Sequence, residues 1–250
     1  MSKINNIFDV KKKVVVVSGS GRGNGKAIAD AFSERGSYVC FIDKEFDIIP
    51  KKKKNHLVIK FDLQNTDKIP DLINEILSKF DRVDVLVNNA GVSLCSQTPY
   101  DEEILDKTLS VNFKAAYKLC HITCLSMAKN GGGAIINVTS LGAELGFPGN
   151  PAYQTSKAAL KQLTKALARD WGRHGIRVNN LCPGYIITSM TKNSYMNDSL
   201  REERSQRMIL GRWGTPDDLI GPCIFLASNA SAYITASDIY VDGGWTSKGL

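Results

Sequence analysis

Short apolar runs alternate with longer amphipathic stretches along most of this 250-residue chain. The runs have the length of strands, and continuous apolar character is typical of strands buried on both faces of a sheet. They predict seven strands, at Val14–Ser18, Tyr38–Asp43, Leu57–Asp62, Val83–Asn88, Ala134–Ser140, Arg177–Cys182 and Asp238–Val241. The stretches between most of them predict helices, at Gly25–Arg35, Lys68–Phe80, Glu102–Lys129, Ala152–His174 and Thr215–Ser228.

This alternation predicts an α/β fold, a doubly wound parallel sheet of about seven strands with helices on both faces. No linker or repeat divides the sequence, so residues 1–250 are expected to form one domain. Glu45–Asn55 is short, charged and contains Pro50, which disfavours a helix there. Thr191–Arg207 is unusually polar, and a loosely packed helix is expected. Because this segment follows a late strand, residues 188–212 are predicted to form a lid over the carboxyl edge of the sheet.

Composition narrows the class of protein. At 43% apolar residues, the chain can bury a full core. It contains no stretch resembling a signal sequence or a membrane span, so a soluble, cytoplasmic protein with no membrane partner is expected. The six cysteines lack the spacing of a disulfide scaffold or a zinc site, and no metal is predicted.

The net charge of +7 lies entirely near the N-terminus. Residues 1–60 contain 13 Lys and Arg against 6 Asp and Glu, whereas residues 61–250 contain 19 of each. A basic field there can steer an anionic ligand. The alternative is solvated turns, which is our interpretation of Lys51–Lys54. The basic runs lack interleaved aromatic residues, so a nucleic-acid partner is not predicted.

A glycine-rich loop follows the first predicted strand and opens the first predicted helix. Its sequence is Gly19-Ser-Gly21-Arg-Gly23-Asn-Gly25. Glycines let the backbone approach a pyrophosphate closely, and the N-terminus of the following helix attracts negative charge. Asp43 ends the second strand about 20 residues later, where the acidic partner of a ribose 2′-hydroxyl belongs in a dinucleotide-binding unit. The alternative is that Asp43 caps a turn.

A second group of residues points to acid–base chemistry. Tyr153 and Lys157 are four positions apart, so on a helix they share one face. A nearby ammonium stabilises a phenolate and would lower the tyrosine pKa. Ser140 ends a predicted strand and would lie at the carboxyl edge, where open α/β sheets bind ligands. The alternative is a surface helix with an incidental tyrosine and lysine, and a serine that is merely a satisfied strand-end hydroxyl.

Together these motifs resemble those of the short-chain dehydrogenase/reductase family over nearly the whole chain. The family's Thr-Gly-x3-Gly-x-Gly corresponds to Ser18-Gly19-x3-Gly23-x-Gly25, and its Asn-Asn-Ala-Gly is identical at residues 88–91. Its Ser and Tyr-x3-Lys signature falls on Ser140, Tyr153 and Lys157, and its active-site Asn falls on Asn112. Its Pro-Gly and following Thr fall on Pro183, Gly184 and Thr188, and its residue beside the adenine falls on Asp62.

The resemblance implies a Rossmann fold and reversible hydride transfer between a nicotinamide and a carbinol or carbonyl carbon. Tyr153 would be the general acid and base, and Lys157 would lower its pKa and hold the nicotinamide ribose. Ser140 would bind the substrate oxygen. Asn112 would hold a water that links Lys157 to solvent, although it could instead tie two elements together or bend its helix.

Residues 1–92 are expected to supply most of the cofactor contacts. The cofactor residues that the loop and the resemblance imply are Gly19, Arg22, Gly23, Asn24, Gly25, Asp43, Asp62, Leu63, Asn89, Ala90, Gly91, Tyr153, Lys157, Pro183, Gly184, Ile186 and Thr188. NAD is predicted rather than NADP, because the Asp43 carboxylate would repel a 2′-phosphate. Arg22 and Lys44 flank the same site and argue the other way. Asn24 departs from the family, which usually has Ile or Leu there, and the connection from Asp43 to Asp62 is short.

The predicted substrate is a small polar alcohol or ketone, such as a sugar, a polyol or a keto-sugar acid. The predicted lid has few apolar residues to cover a steroid or an acyl chain, and residues 211–217 resemble family members that act on keto-sugar acids. One alternative is a 3-oxoacyl-acyl-carrier-protein reductase, but Asn130–Gly133 lacks the basic docking residues. Another is a cofactor-sensing regulator, although such proteins typically lose the Tyr or the Lys.

Three arginines and the C-terminal tail leave further alternatives. Arg201, Arg204 and Arg207 either bind a carboxylate or phosphate of the substrate, or form a solvated stripe paired with Glu202 and Glu203. Arg212 is expected to be a structural or interface residue. Residues 241–245 resemble the family's tetramer-forming tail, so a homotetramer, or a homodimer, is expected, with Trp245 buried in the interface.

Overall fold

A parallel sheet of seven strands forms the centre of the computed structural model, which describes residues 7–95, 98 and 100–248. The strands lie in the order β3-β2-β1-β4-β5-β6-β7, so the winding direction reverses between β1 and β4. Their bounds are Val14–Ser18 (β1), Tyr38–Asp43 (β2), His56–Lys60 (β3), Val85–Asn88 (β4), Gly133–Val138 (β5), Ile176–Pro183 (β6) and Asp238–Val241 (β7). The predicted doubly wound α/β fold is therefore confirmed.

Helices cover both faces of the sheet. Their bounds are Gly23–Glu34 (α1), Ile69–Phe80 (α2), Glu102–Leu109 (α3), Ala115–Lys129 (α4), Pro151–Trp171 (α5), Lys192–Met196 (α6), Asp198–Arg207 (α7) and Ile220–Ala227 (α8). A π-helical turn, Ser110–Lys114, joins α3 to α4 without a break. One core packs α2, α4 and α5 against the sheet, and the other packs α1 and α8 against its opposite face.

The predicted bounds of β1, β2 and β7 agree with the structure, and most others differ by one or two residues. Two of these differences affect the site. Strand β5 ends at Val138, so Ser140 lies beyond the strand, where its side chain caps the short 3₁₀ turn Leu141–Ala143. Strand β3 ends at Lys60, which leaves Asp62 in the following loop. Glu45–Asn55 contains no helix, as predicted.

Most cysteines are small core residues. Cys40, Cys120, Cys124, Cys182 and Cys223 are buried free thiols, while Cys95 is exposed. Within the described ranges, no group of three or more His, Cys, Asp or Glu side chains is arranged to hold a metal. None of the helices described in the structure combines the length and apolar character needed for a membrane span.

A buried polar row crosses the sheet and holds α5 in place. Strand register sets Asn88 beside Asn137, and Asn137 beside Asn180. Thr164 on α5 accepts a hydrogen bond from Asn137 Nδ2 at 2.8 Å and donates one to Asn180 Oδ1 at 2.6 Å. Because buried amides need partners, this row fixes the position of α5 relative to β5 and β6. The same helix carries Tyr153.

Candidate active site

A cavity of about 330 Å³ opens at the carboxyl ends of the strands, beside the point where the winding reverses. This is where doubly wound sheets bind ligands. Every predicted catalytic or cofactor residue except Gly25 and Asn112 lines it. The lining also includes Lys44, which was expected to flank the site, and Ser189, Met190 and Thr191 of the predicted lid. The sequence analysis missed six further lining residues: Phe61, Gln64, Val92, Val111, Val138 and Thr139. Most of these residues are next to a recognised motif in the sequence, and this adjacency is the signal by which they could have been found.

The glycine loop leaves no room for side chains. Gly19 has a φ of +68°, and a Cβ there would lie 2.6 Å from Ala90 Cα. A Cβ on Gly25 would lie 2.0 Å from the Gly19 carbonyl oxygen, so Gly25 sits behind the cavity and allows the loop to pack. Asn89 Nδ2 donates hydrogen bonds to the carbonyl oxygens of Ser18 and Gly19, at 3.2 and 2.9 Å. The loop and residues 88–91 therefore form one rigid unit.

This unit fits the phosphate end of a dinucleotide. Helix α1 begins at Gly23 with no side-chain cap and no acidic residue in its first turn. Its free N–H groups and positive dipole end suit an anion. One further polar atom beside the cavity, Asn24 Oδ1, is buried and has no hydrogen-bond partner among the described residues. The closely packed backbone and the free N–H groups of the first helical turn both suit a bound cofactor.

Asp43 and Arg22 sit at one end of the cavity. Asp43 Oδ2 accepts a hydrogen bond from the Gly21 N–H at 2.8 Å, and Oδ1 accepts one from Glu45 at 3.2 Å. Asp43 therefore caps a turn, as the alternative interpretation expected, and also lines the cavity. The Arg22 guanidinium pairs with the Glu45 and Asp47 carboxylates at 3.6 and 3.7 Å. Glu45 and Asp47 thus pair with Arg22, the residue that would otherwise favour the 2′-phosphate of NADP.

Asn112 lies in the π-helical turn, a feature frequent at functional sites. Its Oδ1 accepts a hydrogen bond from the Val92 N–H at 2.8 Å, and its Nδ2 donates to the Val92 carbonyl and to Ser156 Oγ, both at 2.9 Å. The side chain thus ties the α3–α4 junction to the loop after β4 and to α5. A Cβ on Gly91 would lie 3.4 Å from Asn112 Oδ1 and 3.3 Å from Lys157 Nζ, so the two side chains are near neighbours. The water relay stays a prediction.

Tyr153 and Lys157 are four residues apart on α5, so they share one face of this helix. Asn150 caps the helix three residues before the tyrosine, and its Oδ1 accepts the Tyr153 N–H at 3.2 Å. The Lys157 side chain is buried, and its Nζ donates to the Val138 carbonyl at 2.8 Å. That Nζ lies 5.9 Å from the centroid of the Tyr153 ring. Ser140 completes the group through a hydrogen bond with Tyr153. The structure therefore brings the three signature residues together.

The pKa values of this group differ from the expectation in one respect. Burial raises the pKa of Tyr153, the Ser140 hydrogen bond lowers it, and nearby Tyr185 raises it. The predicted lowering by Lys157 is not among these effects. The Lys157 ammonium donates to the Val138 carbonyl, and burial lowers the pKa of Lys157 itself to about 8. The free site therefore favours a protonated phenol at neutral pH.

Replacing Lys157 with methionine should stabilise the free protein by about 1–3 kcal/mol at neutral pH, while turnover is lost. The folded pKa lies below the ordinary value of 10.5, so the folded chain pays for a buried charge below about pH 8. That cost disappears as the pH rises from about 8 to 10.5, and over this window the wild-type stability should approach that of the variant. Denaturant unfolding at several pH values measures both effects.

Lys161 on the same helix is the matched control. Burial acts to lower the pKa of Lys161, but hydrogen bonds to Glu144, Tyr240 and Asp238 outweigh it and raise that pKa. Lys161→Met should therefore destabilise the protein at neutral pH. A loss of stability in Lys157→Met of similar size would contradict the interpretation that burial of the Lys157 charge destabilises the free protein.

An aromatic cluster borders the catalytic group. The Tyr185 ring centroid lies 5.0 Å from that of Trp213, 5.1 Å from that of Trp245 and 6.4 Å from that of Phe147. Trp245 is buried within its own chain, which accounts for its burial without an interface. Tyr185 follows Pro183 and Gly184, which line the cavity, and it lies close enough to Tyr153 to raise the pKa of that residue. Periodicity did not reveal it, because its members come from separate loops.

The three arginines of residues 201–207 have different partners. Arg201 pairs with Asp198 at 2.7 Å, and Arg207 pairs with Glu203 at 3.4 Å. The Arg204 guanidinium lies 4.4 Å above the centroid of the Tyr185 ring, and in the described part of the chain it pairs with no carboxylate. The predicted solvated stripe, with arginines paired to Glu202 and Glu203, is thus wrong for Arg204. Glu202 instead accepts a hydrogen bond from Gln206.

Arg212 has a structural role, which agrees with the prediction. Its guanidinium donates two hydrogen bonds to the Asp218 carboxylate, each at 2.9 Å. Asp218 in turn accepts the N–H and hydroxyl of Thr215, closing the turn that precedes α8.

Comparisons with known proteins agree with this geometry. The profile of a family described as enoyl-(acyl carrier protein) reductase matches residues 19–246. The NAD-dependent glycerol dehydrogenase of Listeria innocua is 32% identical over 246 residues, covering 96% of each chain. A gluconate 5-dehydrogenase from Burkholderia cenocepacia, solved with NADP and tartrate, is 28% identical with a TM-score of 0.88 and covers 98% of this chain and 99% of that one.

A third protein carries the family name itself. A short-chain type dehydrogenase/reductase from Mycobacterium marinum is 30% identical, with a TM-score of 0.89, and covers 98% of this chain and 100% of that one. These similarities span almost all of the chain, and the family's motifs occur along it in the expected order. The protein belongs to the short-chain dehydrogenase/reductase family and is a nicotinamide-dependent oxidoreductase acting on CH–OH groups.

Proposed function

We propose that the protein interconverts a small polar alcohol and its ketone, with NAD as the preferred cofactor. The observation that carries this proposal is the grouping of Ser140, Tyr153 and Lys157 on a cavity shared with the glycine loop. A sugar, polyol or keto-sugar acid is the favoured substrate class. The names of the similar glycerol and gluconate dehydrogenases support this choice.

The reaction assigns a distinct task to each side chain. Bound nicotinamide supplies or accepts the hydride. Ser140 holds the substrate oxygen beside Tyr153. In reduction the Tyr153 hydroxyl donates its proton to that oxygen, and in oxidation the phenolate takes the proton back. Since burial raises the pKa of Tyr153, reduction suits neutral pH, and the oxidation rate should rise as the pH increases.

The preference for NAD rests on the charges around Asp43. Among the similar proteins, one is NAD-dependent by name and another was solved with NADP, so similarity alone leaves the choice open. Asp43 offers acceptors to ribose hydroxyls, and the Glu45 and Asp47 carboxylates engage Arg22. A 2′-phosphate would meet a carboxylate and find its arginine already paired.

Residues 188–212 are proposed to act as the lid. Helices α6 and α7 contain no buried residue, which is typical of segments that open locally. The contact of Arg204 with Tyr185 supports docking of α7 on the aromatic cluster. The cluster gives α7 an apolar surface to pack on, which the polar lid sequence itself does not provide.

A substrate panel with an Arg204 variant tests the proposal. Turnover is expected with polyols, sugars or sugar acids, and efficient turnover only with steroids or acyl thioesters would overturn it. Because Arg204 has no carboxylate partner, Arg204→Ala should raise KM for an acidic substrate such as gluconate by about tenfold or more, with little change for a neutral polyol. Arg201→Ala, whose arginine is paired, should change neither. Equal losses on both substrates would assign Arg204 to lid packing alone.

The oligomer expected from the C-terminal tail stays a prediction. Tyr117 and Leu125, on α4, are 53% and 45% exposed, and such apolar surface suits contact with another copy of the chain. Light scattering of the purified protein measures the assembly, and a monomer would contradict it.

A further inference from the structure

Lys161 lies one turn beyond Lys157 on α5 and joins this helix to two other elements. Its ammonium pairs with the Glu144 carboxylate, and with the Asp238 carboxylate at 3.2 Å. It also donates a hydrogen bond to Tyr240 Oη at 3.3 Å. Glu144 belongs to the loop between β5 and α5, whereas the other two partners belong to β7. The Lys161 side chain is only 15% exposed, so solvent screens these pairs less than it screens a pair on the open surface.

The part of the loop that Lys161 holds is the far end of the turn that starts at Ser140. Ser140 caps the 3₁₀ turn Leu141–Ala143 through a backbone N–H. Glu144 closes that turn, because its own N–H donates to the first carbonyl of the turn at 3.0 Å. The Ser140 hydroxyl is hydrogen-bonded to Tyr153. The turn is therefore fastened to α5 twice, through Tyr153 at its start and through Lys161 at its end.

Other contacts hold the rest of the loop. Gln154 Oε1 accepts the Phe147 N–H, and Gln154 Nε2 donates to the Phe147 carbonyl, both at 2.7 Å. Leu141 is buried in the aromatic cluster region. Because these contacts do not involve Lys161, loss of the Lys161 pair should loosen the turn without unfolding the loop.

We propose that Lys161 is a positioning residue, which holds the Ser140 hydroxyl beside Tyr153 by fastening the far end of the Ser140 turn through Glu144. Neither Lys161 nor Glu144 lines the cavity, so the effect reaches the site through the turn. A small displacement of a group that orients the reacting oxygen lowers the rate sharply. The inference rests on the proposed function, in which Ser140 holds the substrate oxygen.

Steady-state kinetics of the full chain provide the test, with NAD and a panel that includes glycerol and gluconate. Glu144→Ala should lower kcat by about three- to tenfold and leave the cofactor KM unchanged. The Glu144 side chain is 44% exposed, so the melting temperature should fall by no more than about 4 °C. Lys161→Arg keeps the charge and should retain most of the turnover. Lys165→Met, which replaces an exposed lysine one turn further along α5, is the matched control and should change nothing.

The pH dependence of oxidation gives a readout that a merely structural ion pair would not move. The Ser140 hydrogen bond lowers the pKa of Tyr153, and the other groups facing this phenol are Lys157 on α5 and Tyr185 after β6. Both remain in Glu144→Ala. A displaced Ser140 should therefore move the rise in oxidation rate to higher pH. Removal of a nearby carboxylate acts in the opposite direction, because it favours the phenolate.

Three results would overturn the inference in an active wild type. They are an unchanged kcat in Glu144→Ala, a lower kcat with an unmoved pH profile, and an equal loss of kcat in Lys165→Met. Absence of turnover by the wild type on the whole panel would instead overturn the proposed function, and this inference with it.

Discussion

Tyr153→Phe should fold and bind cofactor like the wild type but lose turnover by about 10²- to 10⁴-fold. The substitution removes only the hydroxyl, which is the group that exchanges a proton with the substrate oxygen. The ring, its place on α5 and the Asn150 cap remain. The loss should appear in kcat, with little change in the cofactor Kd. Steady-state kinetics and cofactor titration separate the two quantities.

Tyr185→Phe is the matched control. Tyr185 lies close enough to Tyr153 to affect its pKa, and its ring packs in the aromatic cluster. Removing its hydroxyl should leave that packing and most of the turnover intact. Retention of most activity by Tyr153→Phe, or an equal loss in both variants, would refute the assignment of Tyr153 as the acid and base.

Asp43→Ser should shift cofactor preference from NAD towards NADP by about 10- to 1,000-fold in the ratio of kcat/KM values, because two like charges about 4 Å apart repel by about 1–4 kcal/mol. Serine keeps a hydroxyl that can accept the Gly21 N–H, so the turn should persist. Adding Glu45→Gln should increase the shift, because it weakens the ion pair that engages Arg22.

Asp62 provides the control for this switch. It lines the same cavity but belongs to the loop after β3, and the family resemblance places it beside the adenine. Asp62→Asn should therefore affect both cofactors alike. A clear preference of the wild type for NADPH would contradict the NAD assignment, whatever the variants show.

Features set by neighbouring residues could be predicted from the sequence. The apolar runs of β1 and β2 end at residues that begin tight turns, so their bounds agreed with the structure. The spacing of Tyr153 and Lys157 placed both on one helical face, since an α-helix repeats every 3.6 residues. The parallel sheet followed from the alternation of strands and helices, because parallel strands need crossover connections.

Other features depended on which distant segments meet. Arg201, Arg204 and Arg207 look equivalent along α7, yet only Arg204 meets the Tyr185 ring, which another loop supplies. In the sequence Asn24 is only a departure from the family's usual Ile or Leu, whereas the structure shows that its buried Oδ1 has no hydrogen-bond partner among the described residues. The pKa of Tyr153 rises because burial, a property of the whole fold, outweighs its local neighbours. Periodicity and turn chemistry act over a few residues, whereas burial, electrostatics and the choice of partner depend on segments far apart in the chain.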